Sequence, residues 1–429
     1  MNPPKKGPPR KTTLDALWAR HDVKWRDPQQ IVAQELWCRL PACTPLASST
    51  HALPVQAGCL HHKGNPEDCP TEVDPRILAH RVQGRFWETL AETGQTLIVT
   101  REYEHLVMAL CAGGGRPRIS YLSLPHPNGL AVDARRQIVH VASTRNPNVI
   151  YDFAPCRGLV ERDGPRGPAG LENTLLPLRC RYLPGCAYIH DLALIGCRLH
   201  ANAVAMNAVV ELPGCGGFKA VWWPCCIDGA GKPLFGRNHL QLNSIAAGKT
   251  LRSSFFTASA AQPSARRPGS LDFPVDKRGV VFSGRTREAV ATGLTRPHSA
   301  RLLGSEVWLD NSGYGEVGRI AGGRFEAVAR LPGWTRGLCF GKGVAFVGSS
   351  RVIPRFRHYA PGIDCDRSQT GIHALDLKTG RWLGSIVWPL GNQIFALALS
   401  GGICTPGFPF TAGKKNDRQV QQLFFRGLA

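Results

Sequence analysis

The sequence lacks the long apolar runs, the export signal and the catalytic signatures that would assign it to a common class. No run approaches the roughly 18 consecutive apolar residues of a membrane-spanning helix, and the N-terminal stretch has no apolar signal-peptide core. The motifs G-x-S-x-G, H-E-x-x-H, the Walker loop and a G-x-G-x-x-G after a strand are missing as well. These absences argue against a membrane span and predict a cytoplasmic protein.

Acidic residues are scarce, with 31 Asp and Glu against 52 Lys and Arg, so the net charge is +21. Such a charge is typical of proteins that bind nucleic acid or other anions. However, no run of Lys and Arg exceeds three residues, aromatic residues are not interleaved with a basic stripe, and no nucleic-acid-binding motif is present. Dispersed surface arginine is the favoured interpretation, and specific nucleic-acid binding is not expected.

Cysteine, in contrast, is abundant, with 15 residues. The count is odd and no export signal is visible, so reduced and mostly buried thiols are expected rather than a disulfide framework. Candidate zinc ligands cluster at Cys38, Cys43, Cys59, His61, His62 and Cys69. Their spacing lacks the close C-x2-C pairs that structural zinc sites usually have. An irregular loop is therefore the favoured interpretation, with zinc binding as the alternative.

Periodicity divides the chain into three parts. Residues 1–75 combine a basic, proline-rich tail, two short helices over 15–37 and an irregular insertion rich in Cys, His and Pro. A helical period over 77–90 leads into strand periodicity, so residues 76–412 are expected to form a β-domain. Residues 413–429 are expected to form a polar tail.

A polar turn followed by a short apolar strand recurs six times in the β-domain. These anchors are separated by about 40 to 60 residues, the spacing of four-stranded propeller blades with variable loops. The anchors lie at residues 127–131, 190–193, 242–246, 297–300, 335–338 and 393–396. The stretch 296–320 shows the pattern best, since it reads as three short strands separated by polar and Gly-rich turns.

The ends of the β-domain complement each other. After the last anchor only one strand remains, at 395–399, whereas the strands within 96–122 have no anchor of their own. A ring leaves no open sheet edge if these N-terminal strands complete the blade begun at 393. We therefore expect an all-β fold, a β-propeller of about six blades with a short helical and irregular N-terminal extension. A β-sandwich followed by a second domain is the alternative, but it does not predict a repeated anchor.

The anchors also predict a site. The first strand of each propeller blade lines the central channel, so side chains in the turns before these strands converge at one channel mouth. The predicted ligand-binding residues are Asn128, His190, Asp191, Asn243, His298, Arg301, Arg336 and Gln393. They suit a small polar or anionic ligand or a loop of a protein partner, and they equally suit a ring of structural hydrogen bonds. Asp310, Asn311 and Tyr314 lie farther along their blade, outside this set.

The anchor residues belong to motifs that resemble those of a known family. The motifs are YIHDLALIG at 188–196, HLQLNSIAAG at 239–248, GLTRPHSARL at 293–302, VWLDNSGYGEVG at 307–318 and LPGWTRGLCF at 331–340. They resemble an uncharacterised bacterial family of conserved hypothetical proteins with a domain of unknown function. The resemblance implies the propeller fold and no particular chemistry. Gln393 and Ala396 stand where many members have acidic residues, which argues against acid–base or metal chemistry there.

A second, weaker resemblance is to the gluconolactonase and senescence-marker propellers, which bind a divalent metal through Asn, Asp and Glu side chains facing the channel. By position, it implies Asn128, Asp191 and Asn243 as metal ligands, a small set for Ca²⁺, which takes about six to eight oxygens. Two functions therefore stay open, ligand binding without turnover and a metal-assisted hydrolase or lactonase. Binding is favoured because no nucleophile–base pair can be assembled from the sequence.

Overall fold

The computed structural model describes residues 73–113, 116–144, 148–157, 172–185, 187–214 and 217–411. The predicted basic tail, the helices over 15–37, the candidate zinc ligands and the tail over 413–429 lie outside these ranges. The described residues form two short α-helices, α1 (Pro75–Leu78) and α2 (Phe86–Thr93), and 26 β-strands. In this part of the chain, no helix is long and apolar enough to cross a membrane.

The strands are short and follow one another closely along the chain. The first thirteen are β1 (Arg81–Gly84), β2 (Leu97–Arg101), β3 (Leu106–Cys111), β4 (Arg118–Ser123), β5 (Pro127–Asp133), β6 (Ile138–Ser143), β7 (Val149–Pro155), β8 (Leu175–Tyr182), β9 (Ile189–Ile195), β10 (Arg198–Ala203), β11 (Ala208–Glu211), β12 (Lys219–Trp222) and β13 (Leu242–Ala246). The others are β14 (Phe255–Ala258), β15 (Gly279–Ser283), β16 (Ala289–Leu294), β17 (Pro297–Leu303), β18 (Glu306–Asn311), β19 (Glu316–Ala321), β20 (Arg324–Arg330), β21 (Trp334–Gly341), β22 (Val344–Ser350), β23 (Thr370–Asp376), β24 (Trp382–Trp388), β25 (Ala396–Leu399) and β26 (Phe410–Thr411). Short 3-10 helices occupy Val204–Met206, Cys225–Ile227, Leu251–Ser253, Ser312–Tyr314, Pro354–Tyr359 and Cys365–Arg367.

The strands pair into six antiparallel sheets, which are the blades of a propeller. Blade 1 contains, from the inside outward, β25, β2, β3, β4 and β26. Blades 2 to 5 contain β5–β8, β9–β12, β13–β16 and β17–β20, and blade 6 contains β21–β24 followed by β1. Each innermost strand contacts that of the next blade, and β25 contacts β5, so the blades close into a ring. The predicted six-bladed β-propeller is therefore confirmed.

Blade 1 closes the ring by joining distant parts of the chain. Strand β25 pairs antiparallel with β2, with Leu399 opposite Leu97 and Ala396 opposite Thr100. The amide of Ala396 also donates a hydrogen bond to Thr100 Oγ1, over 3.0 Å. The prediction that the strands within 96–122 complete the blade begun at 393 is confirmed.

Blade 5 shows how the sequence produces the hairpins of a blade. The observed strands β17, β18 and β19 fall on the three short strands predicted within 296–320. Gly304 connects the first two with a φ of 62°, and Gly315 precedes the third with a φ of 67°. Both conformations lie in the left-handed region, which glycine adopts without a steric cost.

The segment before the propeller differs from the prediction. A continuous helical stretch is expected over 77–90, but α1 ends at Leu78 and β1 follows before α2 begins. Strand β1 pairs antiparallel with β24 and becomes the outermost strand of blade 6. At Gly84 the φ is 61°, and a Cβ atom there would lie 2.6 Å from the carbonyl oxygen of Leu383. The helical prediction is wrong at β1 because pairing with an open sheet edge overrides a weak local periodicity.

The apolar core lies between neighbouring blades. Between blades 1 and 2, it includes Ile98, Val139 and Phe153, and the ring of Phe153 meets that of Phe408 edge-on at 5.4 Å. Helix α2 extends the core between blades 6 and 1 through Phe86. Each sheet therefore buries both faces against its neighbours, as the packing of a propeller requires.

Candidate functional site

The innermost strands of blades 2 to 6 each carry a β-bulge at the anchor. The register shifts between Pro127 and Leu130 in β5 and at the equivalent points of β9, β13, β17 and β21. Within two of these bulges, Ser299 has a φ of 52° and Gly337 a φ of 92°. Bulges redirect side chains and are common beside binding sites. The sequence predicts only a turn here, so the bulges are a feature that the pattern did not reveal.

Basic and aromatic side chains from four blades meet where the innermost strands begin. The guanidinium of Arg336 in β21 lies 3.3 Å from the ring centre of Phe395, just before β25. The rings of Phe395 and His190 of β9 lie 5.8 Å apart. His298 of β17 is close enough to Arg336 and His190 for both to lower its pKa. The structure therefore brings together three of the predicted site residues, His190, His298 and Arg336, at one channel mouth.

Arg336 is buried at this mouth, with 8% of the residue exposed. Its guanidinium forms no hydrogen bond or ion pair with any of the described residues and contacts the face of Phe395 instead. Burial lowers the pKa of Arg336 to about 10, although Glu102 and Tyr188 act in the opposite direction. The side chain therefore remains charged at neutral pH.

His298 is a neutral imidazole beside Arg336. Its Nδ1 lies 2.7 Å from the carbonyl oxygen of Arg296 and 2.9 Å from Ser312 Oγ. Burial lowers the pKa of His298 well below its usual value, and Arg336 lowers it further. Because a carbonyl oxygen can only accept, Nδ1 carries the proton and Nε2 is the acceptor.

Arg296 is a buried arginine that the sequence pattern did not single out. Its Nη1 donates to Gln241 Oε1 at 2.5 Å, and its Nη2 donates to the carbonyl of Pro268. The guanidinium carbon also lies 3.8 Å from the ring centre of Tyr359. Burial lowers the pKa of Arg296 to about 10. The feature of the sequence that could have identified it is its position directly before the Pro-His-Ser anchor. Its contacts with Gln241 and Pro268 fix the loops around the mouth.

Asp191 and Arg301, both predicted to bind ligand, form an ion pair with each other. Two hydrogen bonds of 2.7 and 3.2 Å join the Arg301 guanidinium to the Asp191 carboxylate. Asp191 Oδ2 also accepts from the amide of Ile245 at 3.0 Å, so that the pair links blades 3, 4 and 5. Burial lowers the pKa of Arg301, but Asp191 outweighs burial and the net shift is upward. The two charges compensate each other, which favours a structural role.

Asn128 and Asn243 connect neighbouring blades. Asn128 Nδ2 donates to the carbonyl of Ile189, and Asn243 Nδ2 donates to that of Pro297 at 2.9 Å. At the other four junctions, a side chain likewise donates a hydrogen bond to a backbone carbonyl of the next blade. The donor and acceptor residues are Thr100 and Asn128, Asn202 and Leu242, Ser312 and Thr335, and Ser350 and Ile394. These six bonds form a complete ring around the channel, which we call the inter-blade ring. For Asn128 and Asn243, the contacts therefore match the structural alternative.

A family model described as a domain of unknown function (DUF4915) matches residues 84–408. The match extends over all six blades. The chain belongs to the DUF4915 family. A comparison of this DUF4915 chain with curated protein sequences finds no match.

Several solved structures are similar to the DUF4915 chain at low sequence identity. A chain of a nidogen/laminin complex has a TM-score of 0.48 and 8% identity, covering 72% of this chain and 98% of its own length. A protein of unknown function from Bacteroides caccae has a TM-score of 0.44 and 9% identity, and the match covers 71% of this chain and 98% of that protein. A gluconolactonase from Xanthomonas campestris has a TM-score of 0.41 and 16% identity, covering 65% and 84%. The predicted distant similarity to gluconolactonases is confirmed, and at these scores it says nothing about chemistry.

The side chains implied as metal ligands do not fit a metal site in this DUF4915 chain. Asn128 Oδ1 accepts from the amide of Gly129 at 2.7 Å, and both Asp191 oxygens accept from Arg301. Only Asn243 Oδ1 lacks a partner among the described residues. In the same part of the chain, no group of three or more His, Cys, Asp or Glu residues is placed to hold a metal ion. One amide oxygen is a poor basis for an ion that takes about six oxygen ligands.

Gln393, the last of the predicted site residues, lies three residues before the start of β25 and is 8% exposed. Its Oε1 is buried and has no hydrogen-bond partner within the ranges that the structure describes. Buried amide oxygens are normally satisfied, by protein or by ordered water. In the DUF4915 chain this oxygen is therefore available to a ligand hydroxyl or amide, or to water.

Proposed function

We propose that the protein binds a small anionic ligand, carrying a carboxylate or phosphate group, at the mouth of its central channel. The observation that carries this proposal is the buried guanidinium of Arg336, which forms no ion pair or hydrogen bond with the described residues. Isolated buried charges are costly, so they are normally paired. A bound anion supplies the partner through two parallel hydrogen bonds.

Phe395 and His298 support a specific site rather than general attraction of anions. The ring of Phe395 holds one face of the Arg336 guanidinium at 3.3 Å, which leaves the N–H groups at its edge to donate in the guanidinium plane. His298 is neutral and offers Nε2 as an acceptor. The favoured ligand therefore combines a negative group for Arg336 with a hydroxyl or amide donor for His298.

Metal-assisted hydrolysis, the second function predicted from the sequence, receives no support from the contacts at the mouth. It depends on a metal that polarises a carbonyl group or activates water. The carboxylate that would lead its ligand set, Asp191, is paired with Arg301 and with the Ile245 amide. The contacts at the mouth therefore favour ligand binding over metal-assisted hydrolysis.

Calorimetric titration with inorganic phosphate and with malonate tests the proposal. The wild type is expected to bind at least one of these probes. Arg336→Met keeps much of the side-chain length but removes the charge, and is expected to weaken binding about 10- to 100-fold, the contribution of a charged hydrogen bond. The matched control is Arg324→Met, at an exposed position of β20, which is expected to bind as the wild type does. Equal affinities of Arg336→Met and the wild type, or no binding by the wild type, would contradict the proposal.

The melting temperature of the same variants separates a ligand-binding Arg336 from one that braces the blades. Removing an unpaired buried charge is expected to leave the melting temperature unchanged or to raise it. A brace would act through backbone carbonyls, and its loss would lower the melting temperature by several degrees. Such a drop in Arg336→Met, without one in Arg324→Met, would favour the structural role.

A further inference from the structure

Asp310 is a buried carboxyl group that anion binding by Arg336 does not explain. It lies in β18 opposite His298 of β17, so both side chains lie on the same face of blade 5. Asp310 is 0% exposed, and neither of its carboxyl oxygens has a hydrogen-bond partner within the described residues. Buried polar groups normally have partners, so an unpartnered carboxyl beside the candidate site has a physical cause.

The surrounding charges show why Asp310 has no counter-ion. Arg301 of β17 is already engaged by Asp191 of β9. Arg336 of β21 acts on Asp310 electrostatically without forming an ion pair with it. Burial raises the pKa of Asp310 well above its usual value. A weak hydrogen bond from the Ser299 hydroxyl, outside ideal geometry, and the charges of Arg301 and Arg336 lower it but do not cancel the rise. Burial therefore favours the protonated, neutral form of this carboxyl group.

Two further titratable groups, one opposite Asp310 and one beside Arg301, favour their neutral forms. His298, its register partner, is held unprotonated by burial and by the charge of Arg336, which lower its pKa. Cys339 of β21, which acts on Arg301, has a pKa raised to about 12 by burial. The Asp310 carboxyl group thus lies beside a guanidinium without an anion, with the hydroxyl of Ser299 as its polar neighbour.

We propose that Asp310 is the hydrogen-bond-donating acid of the channel site. It is protonated in the free protein, and its O–H group donates a hydrogen bond to an oxygen of the anion bound by Arg336. This inference rests on the proposed binding function. It selects an oxyanion with at least two oxygens on one centre, a carboxylate or a phosphate, because the guanidinium binds two oxygens and a remaining lone pair on one of them accepts from the acid. The proton stays on Asp310, and no covalent bond forms or breaks.

A protonated donor makes binding depend on pH in a defined direction. The neutral acid donates a hydrogen bond and carries no charge, whereas the carboxylate can only accept and repels an anion. Arg336, with a pKa of about 10, stays charged through neutral pH. Anion affinity is therefore expected to fall as the pH rises through the pKa of Asp310.

Infrared spectroscopy of the ligand-free protein tests the protonation state directly. The wild type at pH 7 is expected to show the carbonyl stretch of a protonated carboxylic acid, and Asp310→Asn is expected to lack that band. The control is Asp272→Asn, at an exposed aspartate, which should keep the band. Absence of the band in the wild type, or its persistence in Asp310→Asn, would overturn the inference whatever the protein binds.

Binding of sulfate and of malonate then tests the donation. Both probes keep a constant charge above pH 7, and they distinguish a tetrahedral oxyanion from a carboxylate. At pH 7, Asp310→Ala, which removes the donor, is expected to bind the preferred probe at least fivefold more weakly than Asp310→Asn, whose amide still donates. In the wild type, the affinity should fall at the pH at which the infrared band is lost, and in Asp310→Asn it should not change with pH.

The outcomes separate this inference from the proposed function. If Arg336→Met abolishes binding while Asp310→Ala binds as tightly as Asp310→Asn, the anion site stands and the role of Asp310 is wrong. The inference also fails if the affinities of the wild type and of Asp310→Asn change with pH in the same way. If the wild type binds no anion, the proposed function fails and the donation fails with it, even where the infrared band is present.

Discussion

At the scale of single residues, His373 shows how a buried polar side chain is satisfied far from the channel. It lies in β23, with Nε2 2.9 Å from Ser349 Oγ and Nδ1 2.7 Å from Ser385 Oγ. Trp382 donates to the same Ser385 hydroxyl at 2.7 Å, which joins three strands of blade 6 in one network. Burial lowers the pKa of His373 to about 4. This network stabilises the blade only while the imidazole is neutral.

We predict that His373 makes the protein sensitive to acid. Its folded-state pKa, about 4, lies below the ordinary value of 6.5, so the unfolded state takes up the proton first. The stabilisation is complete above pH 6.5 and is lost as the pH falls toward 4, by about 3 kcal/mol in all. Denaturant unfolding from pH 7 to pH 4 measures this loss, and His373→Gln should reduce the slope of the unfolding free energy against pH. The exposed His80 provides the control, His80→Gln, and identical slopes for the wild type and His373→Gln would contradict the prediction.

Single residues also show how far the site could be predicted from the sequence. The recurrence of the anchors was sufficient to bring His298 and Arg336 to one channel mouth, because equivalent positions of a repeat converge around its axis. It could not separate them from Asn128, which bonds to the carbonyl of Ile189. Nor could it pair Asp191 with Arg301, since the two are 110 residues apart in sequence. Packing between blades decides which polar side chains form hydrogen bonds with one another, and a local sequence pattern contains no information about that packing.

At the scale of secondary-structure elements, the inter-blade ring holds the innermost strands together, and Asn202 of β10 is its most heavily used member. Its Oδ1 accepts from the amides of His190 and Asp191, and its Nδ2 donates to the carbonyl of Leu242 at 2.8 Å. The first two contacts fix the bulge of β9, and the third fixes β13 beside it. One amide therefore sets the position of two innermost strands.

We predict that Asn202→Ala destabilises the protein by about 3 kcal/mol, since it leaves two amides and one carbonyl buried without partners. Thermal or denaturant unfolding measures the loss. Asn392→Ala removes an amide side chain at an exposed position and is expected to change the free energy of unfolding by less than about 0.5 kcal/mol. Equal stabilities of the two variants would show that the ring contributes no more than surface contacts do.

Elements were predicted well where periodicity and turn residues agree, and less well where tertiary pairing decides. The hairpins of blade 5 carry both signals, and their strands lie where the pattern placed them. Strand β1 has neither alternation nor a turn signature of its own, and its conformation follows from the open edge of β24. The bulges could not be predicted from the sequence either. Ser299, for example, has a φ of 52°, a conformation for which the sequence would normally show a glycine. Such conformations are imposed by neighbouring strands.

At the scale of the whole molecule, the ring is closed by β25, and we predict that the protein cannot fold cooperatively without it. A chain that ends at Gly391 would leave β2 as an open edge beside the core. We expect this shortened chain to lose its sharp thermal transition and to associate in size-exclusion chromatography. A synthetic peptide of residues 392–411, added in trans, should restore the transition by strand addition. A cooperative, monomeric shortened chain would show that five complete blades are sufficient.

The number of blades and the means of closure could both be read from the sequence, because each follows from counting. Six anchors specify six innermost strands, and the strand deficit after Gln393 matches the surplus before Asn128. The similarity among the anchors exists because every blade meets the same constraint at the axis. Residues 1–72, which lie outside the described part of the chain, carry no such repeat.

The pairing of Thr100 with Ala396 also means that β2 is synthesised long before its partner strand β25. The two residues are separated by 296 positions, and a ribosome adds about 5–20 residues per second, so β2 leaves the exit tunnel roughly 15 to 60 s before its partner is made. During that interval a strand destined for complete burial, Leu97–Arg101, has no neighbour on its inner side. An unpaired strand edge of this kind can associate with other chains, so the interval before β25 is made is when the chain is most exposed to aggregation.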